Sequence, residues 1–194
     1  MNSKILNKDD AVLAVIDFQE RLLPAMYNAE KLEETVVRLV KGCRVLGIDI
    51  IVTQQYTKGI GPTTAKIDAA LTEELFEGEV PAAQYTPIDK IDFSALRNEE
   101  FRAALEKTGK KSVILCGIES HICAQQTCLE LINEGYDVFV AADCVSSRAE
   151  ENKNIAIERM RDAGAVITSY ESILYDMLGS AKAAEFKKIS KIVK

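Results

Sequence analysis

Cysteine is the residue type in this chain best suited to covalent chemistry, because a thiolate attacks carbonyl carbon without help from a metal. There are five: Cys43, Cys116, Cys123, Cys128 and Cys144. They are odd in number and widely spaced, with no CxxC or Cys/His grouping of the kind that holds zinc, so neither disulfides nor a structural metal is expected. His121 is the sole histidine. Histidine is the usual base beside a nucleophile. Yet His121 lies two residues from Cys123 at the expected start of a helix, and residues so spaced project in different directions. It is read as a structural or supporting residue. One histidine also makes a catalytic transition-metal site unexpected, since acid-only sites hold Mg²⁺ or Ca²⁺; no metal and no cofactor is expected. A nucleophile here must be activated by carboxylates, lysines or backbone dipoles.

The elements that would position such groups follow from the apolar pattern. Continuous apolar runs at Ala11–Ile16, Ile48–Thr53, Ser112–Cys116, Val138–Ala142 and Ala165–Thr168 suit strands buried on both faces of a parallel sheet, and Ala83–Ile88 would make a sixth. Helical periodicity fills Ala29–Leu46, Ala95–Thr108, His121–Asn133 and Glu150–Ala163, with Gly47, Gly109, Gly135 and Gly164 just past the four ends. This alternation predicts a single α/β domain over residues 1–194: a three-layer α/β/α sandwich on a six-stranded, mostly parallel doubly wound sheet, order 3-2-1-4-5-6. Ala181–Lys194 reads as a final amphipathic helix with a lysine-rich solvated face and Ile189 and Val193 inward.

In such sheets ligands bind at the carboxyl edge, where strand order reverses. Asp17 emerges there at the end of the first strand, and Cys123 follows the fourth strand in the first turn of the next helix. The partial positive charge of a helix N-terminus, and a full charge from Lys90, are expected to lower a thiol from its usual pKa of about 8.5 toward neutrality. Gln19, Gln54 and Tyr56, at the ends of the first two strands, are the candidate substrate contacts.

Other motifs carry less. Gly59-Ile-Gly61-Pro62-Thr63 lacks the third glycine of a dinucleotide fingerprint and reads as an ordered loop, and Gly109-Lys110-Lys111-Ser112 runs into a strand instead of out of one. No Gly-x-Ser-x-Gly elbow or Ser-x-x-Lys dyad supports a serine nucleophile. A formal charge of -6 disfavours nucleic acid as a partner. A small-molecule substrate is expected instead. No run approaches the roughly 18 apolar residues of a membrane span, and acids stand where a signal peptide would be apolar, so a cytoplasmic protein without a membrane partner is expected.

The segments VIDFQERLLP (15–24), TQQYTKGIGPT (53–63), KIDFSAL (90–96), CGIESHICAQQTCLELINEGYDVFVAADCVSSR (116–148) and ITSYESILYDMLG (167–179) resemble the isochorismatase-like cysteine hydrolases, over nearly the whole chain. The resemblance is greatest to the isochorismatase-domain-containing proteins. It implies an Asp17–Lys90–Cys123 triad acting on a small amide, carbamoyl or related C–N bond. Asp17 would take the thiol proton, Lys90 hold the negative charges together, and the thiolate form a covalent intermediate that water releases. It further implies an oxyanion hole from the backbone N–H groups of Cys123 and Glu119, the latter turned in by a cis Ile118–Glu119 peptide. The metal-binding Asp/His cluster of the family's nicotinamidases has no histidine counterpart before His121. Two alternatives remain: a vinyl-ether hydrolase using Asp17 as general acid, or a non-catalytic small-molecule-binding or thiol-sensing module. Self-association into a dimer or larger assembly is expected.

Overall fold

The computed structural model describes residues 4–194. Six strands form one all-parallel sheet: β1 (Ala11–Ile16), β2 (Asp49–Gln55), β3 (Ile88–Lys90), β4 (Ser112–Ile118), β5 (Asp137–Ser146) and β6 (Val166–Thr168). Their order is β3-β2-β1-β4-β5-β6, the expected doubly wound arrangement. Order reverses between β1 and β4, which pair from Ala11↔Ser112 to Ile16↔Gly117. Among the described residues eight α-helices accompany the sheet: α1 (Ala29–Val45), α2 (Thr57–Ile60), α3 (Ala65–Thr72), α4 (Glu99–Thr108), α5 (Gln125–Asn133), α6 (Glu150–Asp162), α7 (Tyr170–Leu178) and α8 (Phe186–Val193). None is long and apolar enough to cross a membrane.

Strand alternation divides the core in two. Leu13 and Val15 of β1, with Cys116 of β4, face the layer built on α1, α3, α7 and α8. Val12, Ala14 and Ile16, with Val113 and Leu115, face α4, α5 and α6. Every residue of β1 and β4 is buried, which is why both strands read as unbroken apolar runs instead of alternating ones.

The structure departs from the pattern reading in specific places. The sixth strand is Ile88–Lys90, not Ala83–Ile88: residues 83–87 carry no regular structure, and Pro87 has no N–H to give a ladder. The stretch Ala95–Thr108 breaks at Asn98, whose extended backbone and side chain cap α4 by accepting from the Phe101 N–H, leaving Ala95–Arg97 as a short 3₁₀ turn. His121–Asn133 opens as a wide π-type turn over Ser120–Ala124 before α5 begins. The last helix starts at Phe186 instead of Ala181. The short α2 overlaps the stretch read as a loop, and α3 and α7 were not read as helices. Gly47, Gly109, Gly135 and Gly164 do take positive φ past the helix ends.

Gly117 pairs with Ile16, where β4 leaves no room for a side chain. A Cβ there would lie 2.6 Å from Ile16 Cβ and 3.2 Å from its carbonyl oxygen. Gly117→Ala is therefore expected to wedge the strands apart just before Asp17 and to destabilise the fold by about 1–3 kcal/mol, read as a lower denaturant midpoint. Five buried thiols make a second prediction. Burial pushes Cys128 up to about 12 and Cys43, Cys116 and Cys144 well above the ordinary range. The unfolded chain then loses thiol protons before the folded one does. Stability present below the unfolded thiol pKa should fall as pH rises above about 9, by up to about 1.4 kcal/mol per pH unit per thiol, measured by urea titration. A flat profile between neutral and pH 10 would contradict this.

Candidate active site

Asp17 leaves β1 with φ at +60°, a left-handed conformation that aspartate adopts more readily than most residues. Its N–H donates to the Thr53 carbonyl at 3.2 Å, its Oδ1 accepts from Thr53 Oγ1 at 2.7 Å, and its Oδ2 accepts from Lys90 Nζ at 2.7 Å. Asp17 is 0% exposed and Lys90 1%. A buried ammonium is tolerated only where its protons are satisfied. Lys90 Nζ donates within a shell of four acceptors: Asp17 Oδ2, Gln55 Oε1 at 2.7 Å, and the Asp92 and Phe93 carbonyls at 3.2 and 3.1 Å.

Cys123, 5% exposed, sits in the π-type turn on the same side of the sheet. Its thiol is pushed up to about 12, first by burial and then by the Asp17 charge, with Lys90 acting the other way. This overturns the expectation of a depressed thiol. Desolvation and the adjacent carboxylate outweigh the lysine, which favours the protonated form of the thiol in the resting site. Asp17, Lys90 and Cys123 nevertheless come together electrostatically at the carboxyl edge of the sheet.

The turn and the lysine are coupled through α5. Thr127 Oγ1 donates to the Cys123 carbonyl at 2.7 Å and accepts from the Ala95 N–H at 2.9 Å. Glu130 accepts from Ser94 Oγ and Arg97. One helix thus holds both Cys123 and the segment that follows Lys90. The Ile118–Glu119 peptide is cis. The Glu119 carbonyl accepts from the Ile122 and Ala124 amides on either side of Cys123, and its carboxylate accepts from the backbone N–H and Nε of Arg148. His121 Nδ1 lies 2.8 Å from Ser147 Oγ, which is itself 2.5 Å from Ser120 Oγ.

The three candidate substrate contacts separate. Gln19 is fully buried and spent on backbone: Nε2 donates to the Gln55 and Gly61 carbonyls, and Oε1 accepts from the Gln55 N–H. Gln54 alternates to the opposite layer, where its amide bonds Thr63 and Thr57 and lines a cavity of about 530 Å³ with Asp68 and Tyr85. Tyr56 remains 51% exposed beside Lys90, its N–H donating to the Lys90 carbonyl. Thr53 and Gln55, which hold Asp17 and Lys90, were not singled out from sequence. Strand periodicity carries the signal: residues 53 and 55 share one face, and 54 takes the other. Among the described residues no group of three His, Cys, Asp or Glu side chains is placed to hold a metal ion.

Comparison with known proteins agrees with the fold. Residues 11–172 match the isochorismatase domain model. The chain is 37% identical over 185 residues to a secreted isochorismatase effector of Phytophthora sojae, spanning 95% of this chain and 84% of that one. It is 36% identical to isochorismatase domain-containing protein 1 of Salmo salar over 92% of this chain, and spans only 59% of that longer protein. The solved MAR1 ribonuclease of Caenorhabditis elegans superposes with a TM-score of 0.87 at 32% identity, covering 98% of this chain and 92% of that one. With the order of strands and the residues at the carboxyl edge, these matches establish that the chain belongs to the isochorismatase family and carries its hydrolase fold.

Proposed function

We propose that the protein is a cysteine hydrolase that cleaves a C–N bond in a small amide or carbamoyl compound. The observation that carries this reading is the buried contact of 2.7 Å between Lys90 Nζ and Asp17 Oδ2, with the Cys123 thiol in the field of both. A carboxylate beside a protonated thiol is a base in place. As substrate binds, Asp17 takes the Sγ proton and the thiolate adds to the carbonyl carbon, with the Lys90 ammonium keeping the two anionic groups together. The N–H groups of Glu119 and Cys123 receive the oxyanion. The proton on Asp17 passes to the leaving nitrogen, the C–N bond breaks and the amine departs. Water, giving a proton to Asp17, then attacks the thioester, releases the acid and restores the thiol. The sum is amide plus water to acid plus amine.

Tyr56, Ile91 and Phe93 flank Lys90 and are 51%, 69% and 53% exposed. They form the entrance, and such exposed apolar side chains suit self-association of the chain. Five unpaired buried thiols suit a reducing, cytoplasmic setting. The name of the Caenorhabditis elegans protein brings RNA into consideration as a substrate. A net charge of -6 argues against it, because tight RNA binding draws on phosphate neutralisation.

The test is a panel of small amides, ureas and carbamates with an RNA arm, read by turnover and intact mass. Wild type is expected to hydrolyse at least one C–N substrate and to carry its acyl or carbamoyl mass on Cys123, leaving RNA intact. RNA cleavage lost in Cys123→Ala would replace this reading, and amide turnover surviving Cys123→Ala would sink the nucleophile. Lys90→Ala and Asp17→Asn should each lower kcat by at least about a thousandfold. The double variant should be scarcely worse than either, because the three groups act as a unit. Asparagine also tolerates the left-handed backbone of Asp17, so its variant isolates the charge. Circular dichroism checks that each variant is folded, and additive losses in folded variants would contradict a concerted site.

Iodoacetamide provides an independent reading. Cys123 should be alkylated before the other four cysteines, which are all fully buried. Because its thiol is pushed up to about 12, the rate without substrate should keep rising with pH through the neutral range. A plateau near neutral pH would show a depressed thiol and contradict the resting state described.

A further inference from the structure

The outer face of α1 meets α8 and the turn after α3 around a cavity of about 570 Å³ that plays no part in the chemistry above. Half of its lining is apolar: Val37 from α1, Leu75 and Phe76 from the turn, and Ile192 from α8. The turn is closed by reciprocal backbone bonds between Leu75 and Val80 at 2.9 and 3.1 Å. Lys188 pins α8 to it through Glu79 at 2.6 Å. The cavity is therefore built by tied elements, within the volume range of small-molecule sites, roughly 300–1,000 Å³.

Its charges are the unusual part. Arg38, Lys41 and Lys191 all line it, against the single acid Glu34, in a chain whose net charge is -6. Arg38 is held by bonds to the Tyr170 hydroxyl and the Val193 carbonyl, both at 3.3 Å, with Glu34 and Glu171 acting on its charge. Lys191 Nζ lies 6.0 Å from the centroid of the Phe76 ring. Among the described residues none of the three cations makes an ion pair within 4.0 Å. Cations without ion-pair partners beside apolar lining residues suit a ligand with one anionic head and an apolar body.

We propose that this groove binds a small organic monocarboxylate with an alkyl or aryl body, its carboxylate between Lys41 and Lys191 and its body against Phe76, Val37 and Ile192. A compact dianion would gain little from the walls, and a neutral apolar molecule would leave the cations unanswered. The site lies on the α1 layer, whereas Cys123 packs toward α4 and α5 with Asp17 and Lys90 acting on it, so binding is separable from hydrolysis.

The test is an NMR titration of the full chain with 4-phenylbutyrate, 4-phenyl-1-butanol and glutarate as probes. Phenylbutyrate should shift the Val37, Phe76 and Ile192 amides saturably, and the alcohol and glutarate should bind at least about tenfold more weakly. Added salt should weaken phenylbutyrate binding. Lys41→Glu with Lys191→Glu should lower its affinity at least about tenfold at an unchanged melting temperature; if that pair unfolds, Lys41→Gln with Lys191→Gln removes the charges alone. The proposal is overturned by shifts confined to the Cys123 turn, by equal binding of the alcohol, by unaltered affinity in the folded double variant, or by no saturable shift at about 10 mM probe.

Discussion

Burying a lysine ammonium beside the carboxyl edge of the sheet is the constraint on which the rest of the site depends. Removing one partner from a buried ion pair typically costs about 3–5 kcal/mol, so the fold must supply Lys90 with acceptors that do not move. It draws them from separate segments: a side chain from the end of β1, another from the end of β2, and two carbonyls from the stretch after β3. This arrangement accounts for features that otherwise look unrelated. β3 is only three residues long and ends on Lys90 itself. Gln19 is consumed in holding the backbone of Gln55 and Gly61, which keeps the Gln55 side chain in place beneath the ammonium.

The thiol is governed by the same electrostatics. Asp17 is already held by Lys90 and Thr53, and a thiolate beside it would place two negative charges against one lysine in a site from which water is excluded. Burial and the carboxylate therefore keep the proton on Cys123. The dipole of a helix N-terminus acts on an exposed cysteine with little opposition, whereas burial opposes it at a position such as this one. In the cysteine-hydrolase reading proposed above, a protonated thiol beside a carboxylate would tie reactivity to the arrival of an electrophilic substrate and spare the thiol from oxidation in the meantime.

The two helix layers divide the work. The α4–α5–α6 side carries the groups at the carboxyl edge, and α5 alone reaches both the Cys123 turn and the segment after Lys90 through Thr127 and Glu130. The α1–α3–α7–α8 side holds the larger share of the apolar core and, on its outer surface, the cationic groove. The sheet lies between them, and along β2 the side chains alternate: Gln54 faces one layer while Thr53 and Gln55 face the other.

The sequence by itself determined the architecture and the address of the site. Unbroken apolar runs could be satisfied only by strands covered on both faces, and alternation with helical segments left a doubly wound parallel sheet as the economical packing. Asp17 and the Cys123 turn then had to emerge on either side of the point where strand order reverses. What the tertiary structure decided was everything that depends on side-chain direction and desolvation. Gln54 and Gln55 are alike in composition and neighbours in sequence, yet only the pleat of β2 tells that the second faces Lys90 and the first an unrelated cavity. Lys90 is nearly as buried as the core leucines, which no pattern of charges in a chain can reveal, because acceptors gathered from distant segments are what make such burial tolerable. The thiol's protonation followed the same logic: position at a helix start was legible, but the depth of burial and the distance to Asp17 exist only once the strands have met.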